Sequence, residues 1–398
     1  MSPRPITVEV DGFSQISDVT RPGPPGTVYW MENLRFEQPG NPHSALVARG
    51  QFASGGAVGV PSFAGSATST GGIYEYVRLN GDVYIVLTSG GKFYTKTVSG
   101  ALTESLTAAQ LAAASVAIDS SAIVYMMTFN NQLVVSDGVN TPWMWDGTAG
   151  GGITKLTNAP VAYGPPFIYY AKLGFIKNTD RGTFVWSEEN AANTGYEAGG
   201  YNNAWTVSQT SSDPLVVMGG TNEYLFYGRT SGCGLIRGAM TSTFTTTGTH
   251  DAVSDVVGVA HPVSFTIVGD LIAFADQSGR PWFVKGGQLV DVAVGQFDRT
   301  FGGQVSTPPF NISEVYRGGH PYNGVIEVGY LPARDSLYFA MTADVSSAPT
   351  FVLCFDCRTG QCTETMRWSG SGTTGVARLG GYQQRTSTGE AGLAAITR

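Results

Sequence analysis

Apolar residues in this chain fall in short runs, and nearly every run is cut by turn residues. From Ile267 to Val292 the runs are Leu271 to Ala275, Trp282 to Val284 and Leu289 to Val292, separated by Gln277-Ser278-Gly279 and Gly286-Gly287. Gly269-Asp270 precedes the first of them. Strands of about five residues joined by tight hairpins read this way, so the stretch predicts an up-and-down antiparallel sheet.

The same pattern recurs along the chain. A first unit holds Ile73 to Val77, Val83 to Leu87 and Lys92 to Thr95, with turns at Asn80-Gly81-Asp82 and Gly90-Gly91. A second runs from Ile123 to Leu156, a third from Phe167 to Trp186, a fourth from Leu215 to Ile236, and a sixth from Val325 to Gly360. The stretch from Ile267, preceded by Val256 to Val259, is the fifth. The turn residue before each second strand (Asp82, Asn131, Lys172, Glu223, Asp270, Asp335) recurs at intervals of 49, 41, 51, 47 and 65 residues. That loose period of about 50 matches radially repeated four-stranded blades.

The predicted fold is therefore all-β: a β-propeller of about six blades, six or seven, with an extended N-terminal arm. A two-sheet sandwich, or a pair of all-β domains, is the architectural alternative. Residues 1–70 form the arm and a connector, and residues 71–398 the propeller, with a loop excursion near 187–206. The arm carries seven prolines before residue 50, which disfavour a regular sheet there. It also carries an aromatic block, Tyr29 to Phe36. That block reads as a strand docking on the main domain or as a contact with a neighbouring subunit. An Ala-rich run, Leu106 to Val116, predicts a helix between units one and two. The tail, with Val376 to Leu379 and Leu393 to Ile396, is placed to complete the ring by pairing with N-terminal material.

Composition sharpens this picture. Charged residues make up 13% of the 398 and 53 are glycine, so the surface is uncharged and rich in turns. A net charge of -7 supplies no basic field for phosphate backbones or anionic membranes, yet suits a channel through which DNA slides without sticking. The opening MSPRPITVEV lacks the basic and apolar regions of a leader, and no apolar stretch is long enough to span a bilayer. A soluble, unexported chain is the expectation.

Catalytic constellations are absent from the pattern. His43, His250, His261 and His320 stand far apart, and neither H-E-x-x-H nor G-x-S-x-G occurs. Gly91-Lys92 continues into Phe93 rather than the Ser/Thr of a phosphate loop. Cys354, Cys357 and Cys362, with Cys233 apart, have poor zinc spacing and read as buried or half-buried strand residues. Asp276 to Trp282 and Asp180 to Trp186 each hold an Asp, a Gly and a later Trp, but not at the spacing of sialidase-type turns. The neighbours Glu188 and Glu189 point to opposite faces of a strand, which unsuits them as the acid and base of glycoside cleavage. No catalytic residue, cofactor or metal site is predicted. The polar and aromatic segment Glu188 to Trp205 suits a loop that meets a partner, and Trp143, Trp145, Tyr196, Tyr201 and Trp205 read as exposed aromatics.

These motifs also occur in a familiar order. Glu32-Asn33-Leu34-Arg35 in the arm, Tyr74-Glu75-Tyr76 with Gly91 to Tyr94, and Asp180 to Trp186 before an acidic, Tyr-rich segment come first. Gly219 to Phe226 with Thr230-Ser231-Gly232, Val257 to Ala260, and Phe351 to Asp356 with Trp368 follow. In this order the chain resembles the tail-hub or tail-nozzle propeller proteins of short-tailed bacteriophages. The resemblance implies a structural virion protein, assembled in the bacterial host cytoplasm into a ring, commonly a homohexamer. Such a ring extends the portal-adaptor channel, guides genome ejection and anchors tail fibres or a tip. It implies phage adaptor or portal-side proteins and fibre or tip proteins as partners, and DNA only as a passing, non-specifically contacted genome. No membrane insertion is expected. Trp30, Arg35, Phe36, Tyr196, Tyr201 and Trp205 are the candidate partner contacts. A host-glycan-binding or glycan-cleaving propeller of the virion is the alternative reading. The chain ends soon after the sixth unit, leaving little room for the additional C-terminal β domain such hubs can carry.

Overall fold

Strands whose residues are apolar on both faces are stable only when a second layer covers each face, and a closed ring of sheets does this for every member. In the computed structural model the chain adopts that arrangement. The residues described are 12–13, 27–28, 34–36, 46–48, 71–97, 103–207, 212–241, 244, 248–294, 326–331, 335–341, 350–368, 376–382 and 392–397. Blade 1 comprises Gly72–Val77, Val83–Ser89, Lys92–Thr97 and Thr103–Leu106. Blade 2 comprises Tyr125–Phe129, Gln132–Ser136, Trp143–Trp145 and Ile153–Lys155. Blade 3 has Ala162–Tyr169, Lys172–Lys177, Thr183–Glu188 and Ala204–Thr206, and blade 4 has Leu215–Gly220, Leu225–Arg229, Cys233–Arg237 and Thr249–Ser254. Blade 5 has Phe265–Val268, Leu271–Ala275, Pro281–Lys285 and Gln288–Asp291. Blade 6 starts with Ile326–Leu331, Ser336–Met341, Thr350–Asp356 and Cys362–Trp368. Each is an antiparallel meander paired in sequence order.

The first strands of successive blades pack side by side around a common axis. A two-stranded sheet, Val376–Tyr382 with Gly392–Thr397, occupies a seventh position. Its first strand packs against the first strands of both blade 6 and blade 1, and so closes the circle. The fold is thus a β-propeller of six full blades and one two-stranded sheet. The tail pairs with itself rather than with N-terminal material. Leu34–Phe36 and Leu46–Ala48 instead extend blade 6 outward, the former antiparallel to Cys362–Trp368 with Arg35 opposite Glu364.

Neighbouring residues on a strand feed different seams. Leu133 and Val135 of blade 2 pack toward blade 1 with Tyr76, Val86 and Phe93, while Val134 between them joins Leu173 and Phe175 of blade 3. Phe184 and Trp186 face blade 4, whereas Val185 faces blade 2. Ala273 and Ala275 face blade 6, and Ile272 and Phe274 face blade 4. The two-residue period that normally separates inside from outside here separates two insides.

Polar stitches at first hairpins reinforce several of the seams. Tyr76 Oη donates to Asn131 O at 2.6 Å, and the Leu79 amide donates to Asn131 Oδ1 at 2.6 Å. Asn130 Nδ2 donates to Asn190 O at 2.9 Å, and Tyr224 Oη donates to Asp270 O at 3.2 Å. Asn131 and Asp270, two of the turn residues that mark the sequence period, are therefore acceptors for the preceding blade as well as chain reversals. Ser264, fully buried, donates to Ile326 O across the seam between blades 5 and 6.

The predicted helix is present as Ala108–Ala113, opened by a capping box between Thr107 and Gln110, with Leu111 buried against blades 1 and 2. Val256 to Val259 is not a strand. It is a connection from the outer strand of blade 4, and Val259 is fully buried with its amide donated to Arg229 O at 2.9 Å. The excursion after blade 3 contains a further strand, Ala191–Gly195, paired to the end of Thr183–Glu188.

Gly220, at the end of the first strand of blade 4, lies against the backbone of blade 3. A Cβ there would fall on Ile168 O. Gly220→Ala is expected to destabilise the chain by about 2 kcal/mol, because the new Cβ would meet the Ile168 carbonyl and Tyr169 Cβ, neither of which can swing away, and overpacking costs about 1–3 kcal/mol. The midpoint of urea unfolding measures it, and an unchanged midpoint would show that the inner strands can separate without cost.

Candidate functional site

The inner strands enclose an axial cavity of about 670 Å³ to which six blades contribute. Its wall includes Tyr74 and Glu75 from blade 1, Met126 from blade 2, Met218 from blade 4, Phe265 from blade 5 and Glu327 from blade 6. No lysine or arginine is among the described residues that line it. Tyr74 Oη donates to Thr128 Oγ1 at 3.2 Å and accepts the Thr128 amide at 3.1 Å, so the phenol is spent on the seam between blades 1 and 2. Tyr330 Oη donates to Asp335 Oδ1 at 3.1 Å. Glu75 and Glu327 are both engaged in further interactions and are not free carboxylates. The cavity is acidic and aromatic, and the Tyr74 and Tyr330 hydroxyls are committed to its wall.

The sequence-predicted contact residues separate into three groups. Trp30 lies outside the described residues. Arg35 and Phe36 lie on the strand added to the periphery of blade 6. The excursion residues differ from one another. Tyr201 is 42% exposed. Trp205 is half-buried, with its ring T-shaped on Phe244 at 4.8 Å. Tyr196 is 1% exposed, packed beside Phe175, with its hydroxyl donating to Ala192 O at 2.7 Å. Tyr196 is thus a core residue: the excursion folds back and uses it to cover the outer part of blade 3. Trp143 and Trp145, expected on the surface, are each 1% exposed and fill the seam between blades 1 and 2.

Other candidates resolve into structural roles. Glu188 pairs with Lys172 at 3.5 Å and accepts Asn203 Nδ2 at 2.8 Å, while Glu189 is exposed. Asp276 Oδ1 accepts the amides of Ser278 and Arg280, and Asp276 Oδ2 accepts Trp282 Nε1 at 2.8 Å. That carboxylate closes the second hairpin of blade 5, the role its spacing to Gly279 and Trp282 suggests. Asp180 closes the corresponding turn of blade 3 through the Gly182 amide and Thr183 Oγ1. Lys92 sits in a hairpin 3.9 Å from Glu104. His250 stacks on Tyr227 at 4.9 Å, and His261 Nδ1 accepts the Val263 amide. Among the described residues no group of His, Cys, Asp and Glu could hold a metal ion. None of the four cysteines is in a disulfide; three are buried and Cys357 is half-buried.

No family model matches the chain, and no curated relative does. Solved structures resemble it at low identity. Kluyveromyces lactis Hsv2 aligns at 9% identity over 69% of this chain and 72% of its own, with a TM-score of 0.38. A Mycobacterium tuberculosis puromycin-hydrolyzing peptidase aligns at 11% identity over 81% of this chain and 49% of its own, with a TM-score of 0.45. The extracellular domain of the putative hybrid two-component system BT4673 of B. thetaiotaomicron aligns at 9% identity over 83% and 37%, with a TM-score of 0.46. Among the described residues no helix is long and apolar enough to cross a membrane.

Burial pushes the phenols of Tyr169 and Tyr227 up to about 12, and that of Tyr196 further still. An unfolded tyrosine ionises at about pH 10. Below that value both states keep the proton and the full stability is present. Above it only the unfolded state ionises, so stability falls as pH rises through the folded values. The urea midpoint should therefore hold at about pH 9 and drop steeply between about pH 10 and 12. Tyr196→Phe should flatten that drop.

Burial likewise raises the thiols of Cys233 and Cys357 to about 12, Cys357 with further help from Asp335 and Asp356. At about pH 8 the native chain should react slowly with Ellman's reagent, whereas the unfolded chain releases all four thiols. Rapid labelling of the native chain would show a thiol open to solvent.

Proposed function

We propose that this chain is a structural, non-enzymatic protein of a bacteriophage tail. In this reading it forms a homo-oligomeric ring of the hub or nozzle type, extends the portal-adaptor channel, and anchors fibres or a tip. The observation that carries the reading is the seat of the N-terminal arm. Leu34–Phe36, which includes Leu34 and Arg35 of the motif behind the phage resemblance, adds to the outer edge of blade 6. That location is the periphery of the propeller, a surface open to a neighbouring subunit in such a ring. Pairing on a sheet edge is also a common means of joining one chain to another.

Two further features support a scaffolding role. Asp180, Asp276 and Glu188, the carboxylates with the most enzyme-like settings in the sequence, are engaged in closing turns or pairing with lysine. The weakly acidic composition, and an axial cavity whose described lining holds no lysine or arginine, also suit a component beside which DNA moves without being held.

Electron microscopy tests the proposal. The purified chain is expected to form rings of about six subunits, and antibodies against it should decorate the tails of particles released by cells that encode it. A chain that stays monomeric at high concentration and is absent from tail density would overturn the reading.

A further inference from the structure

Among the described residues, four hairpins turn on two consecutive residues in the left-handed region: Gly90-Gly91, Asn130-Asn131, Tyr170-Ala171 and Gly286-Gly287. Glycine and asparagine adopt that conformation readily, so three of the four are chemically expected. Tyr170 (φ 50°) and Ala171 (φ 54°) are not. A bulky side chain with positive φ is a backbone outlier, held only where its surroundings over-determine it. Here they do. The Asn190 amide of the blade 3 excursion donates to Ala171 O at 2.9 Å, and the Tyr170 ring stands at 87° to that of Tyr169 with centroids 4.7 Å apart.

The result is an aromatic ring that is 52% exposed yet fixed on a clamped turn. Tyr170 borders a groove of about 440 Å³ between the first hairpins of blades 3 and 4, reaching Gly269 of blade 5. The opposite wall is Thr221 and Asn222. Asn222 is exposed, and its backbone is tied to Asp270 through an N–H to Oδ1 contact of 3.4 Å. Thr221 Oγ1 donates to Tyr224 O and accepts the Tyr224 amide, which fixes the loop from within. Among the described residues that line the groove none is charged, and the Asp270 carboxylate beside it faces the Asn222 amide.

A half-exposed aromatic ring and a primary amide on the hairpins of two adjacent blades, with an uncharged described lining, are the chemistry that recognises a neutral polyhydroxylated ring. The aromatic covers the apolar C–H face, and the amide supplies both a donor and an acceptor to hydroxyls. We propose that the groove between Tyr170 and Asn222 binds a neutral saccharide. The inference is independent of the tail assignment, since it concerns the isolated chain and needs no ring.

The test uses the full chain against an array of neutral hexose and N-acetylhexosamine oligosaccharides. Calorimetric titration then follows with the best oligosaccharide found and with the polysaccharide from which it derives. Binding to at least one neutral oligosaccharide is expected. Tyr170→Ala and Asn222→Ala should each weaken it by about tenfold. Tyr170→Gly should weaken binding to the same extent as Tyr170→Ala while raising the melting temperature, because it relieves the turn. That pairing of lost affinity with gained stability is not produced by a purely structural tyrosine. Failure of every neutral oligosaccharide to bind, a preference for anionic ones, or an affinity unchanged in the folded Tyr170→Gly chain would each overturn the proposal. Binding to the oligosaccharide alone identifies a free sugar as ligand, and binding to both identifies the polysaccharide; either supports the site.

Discussion

Everything in this chain depends on each blade having no solvent side. In a flat antiparallel sheet, alternate residues divide into core and surface. Here the alternation divides them between the seam ahead and the seam behind, as Val134 between Leu133 and Val135 demonstrates. The few charges of the sequence follow from this, because only turns, outer strands and the axial wall remain for polar residues. The glycines follow as well, since inner strands that converge on an axis approach until a side chain no longer fits, as at Gly220.

The seams also determine what the recurring turn residues do. Asn131 and Asp270 look in sequence like ordinary hairpin residues, but each receives hydrogen bonds from the blade before it. A hairpin that both reverses the chain and joins neighbours is constrained in position, which explains a recognisable period despite variable loop lengths. Blade 3 departs from the pattern: its first turn is clamped by its own excursion and spends backbone strain to present a tyrosine outward.

Much of this was legible in the sequence, and what was not has physical causes. The inner and middle strands announce themselves because both faces are apolar. The outer strands Thr103–Leu106 and Thr249–Ser254 do not, because they are largely exposed and lack alternation. Val256 to Val259 resembles a strand because it is apolar, yet Val256 is exposed, only its far end is buried, and its hydrogen bonding makes it a connection. Tryptophans in the short Trp143–Trp145 strand look exposed beside Pro142 and Asp146, but a seam buries both. The same error applies to Tyr196: a polar, Gly-rich segment suggested a surface loop, whereas the segment folds back over blade 3. Asp276 was readable as a corner, because its spacing to Gly279 and Trp282 is that of a self-closing turn. Tyr170 left no sequence signal, since its significance lies in a backbone angle.

The two-stranded sheet has a mechanical consequence. A lone hairpin is marginal without further strands, and this one stands between blade 6, which bears the N-terminal strands on its far edge, and blade 1. Both ends of the chain therefore belong to neighbouring sectors of the circle. Tension applied to the two ends would be borne first by the Val376–Tyr382 pairing and by the seat of Leu34–Phe36, while blades 2 to 5 stay unloaded. The two-stranded sheet is thus the clasp of the ring, joining blade 6 to blade 1.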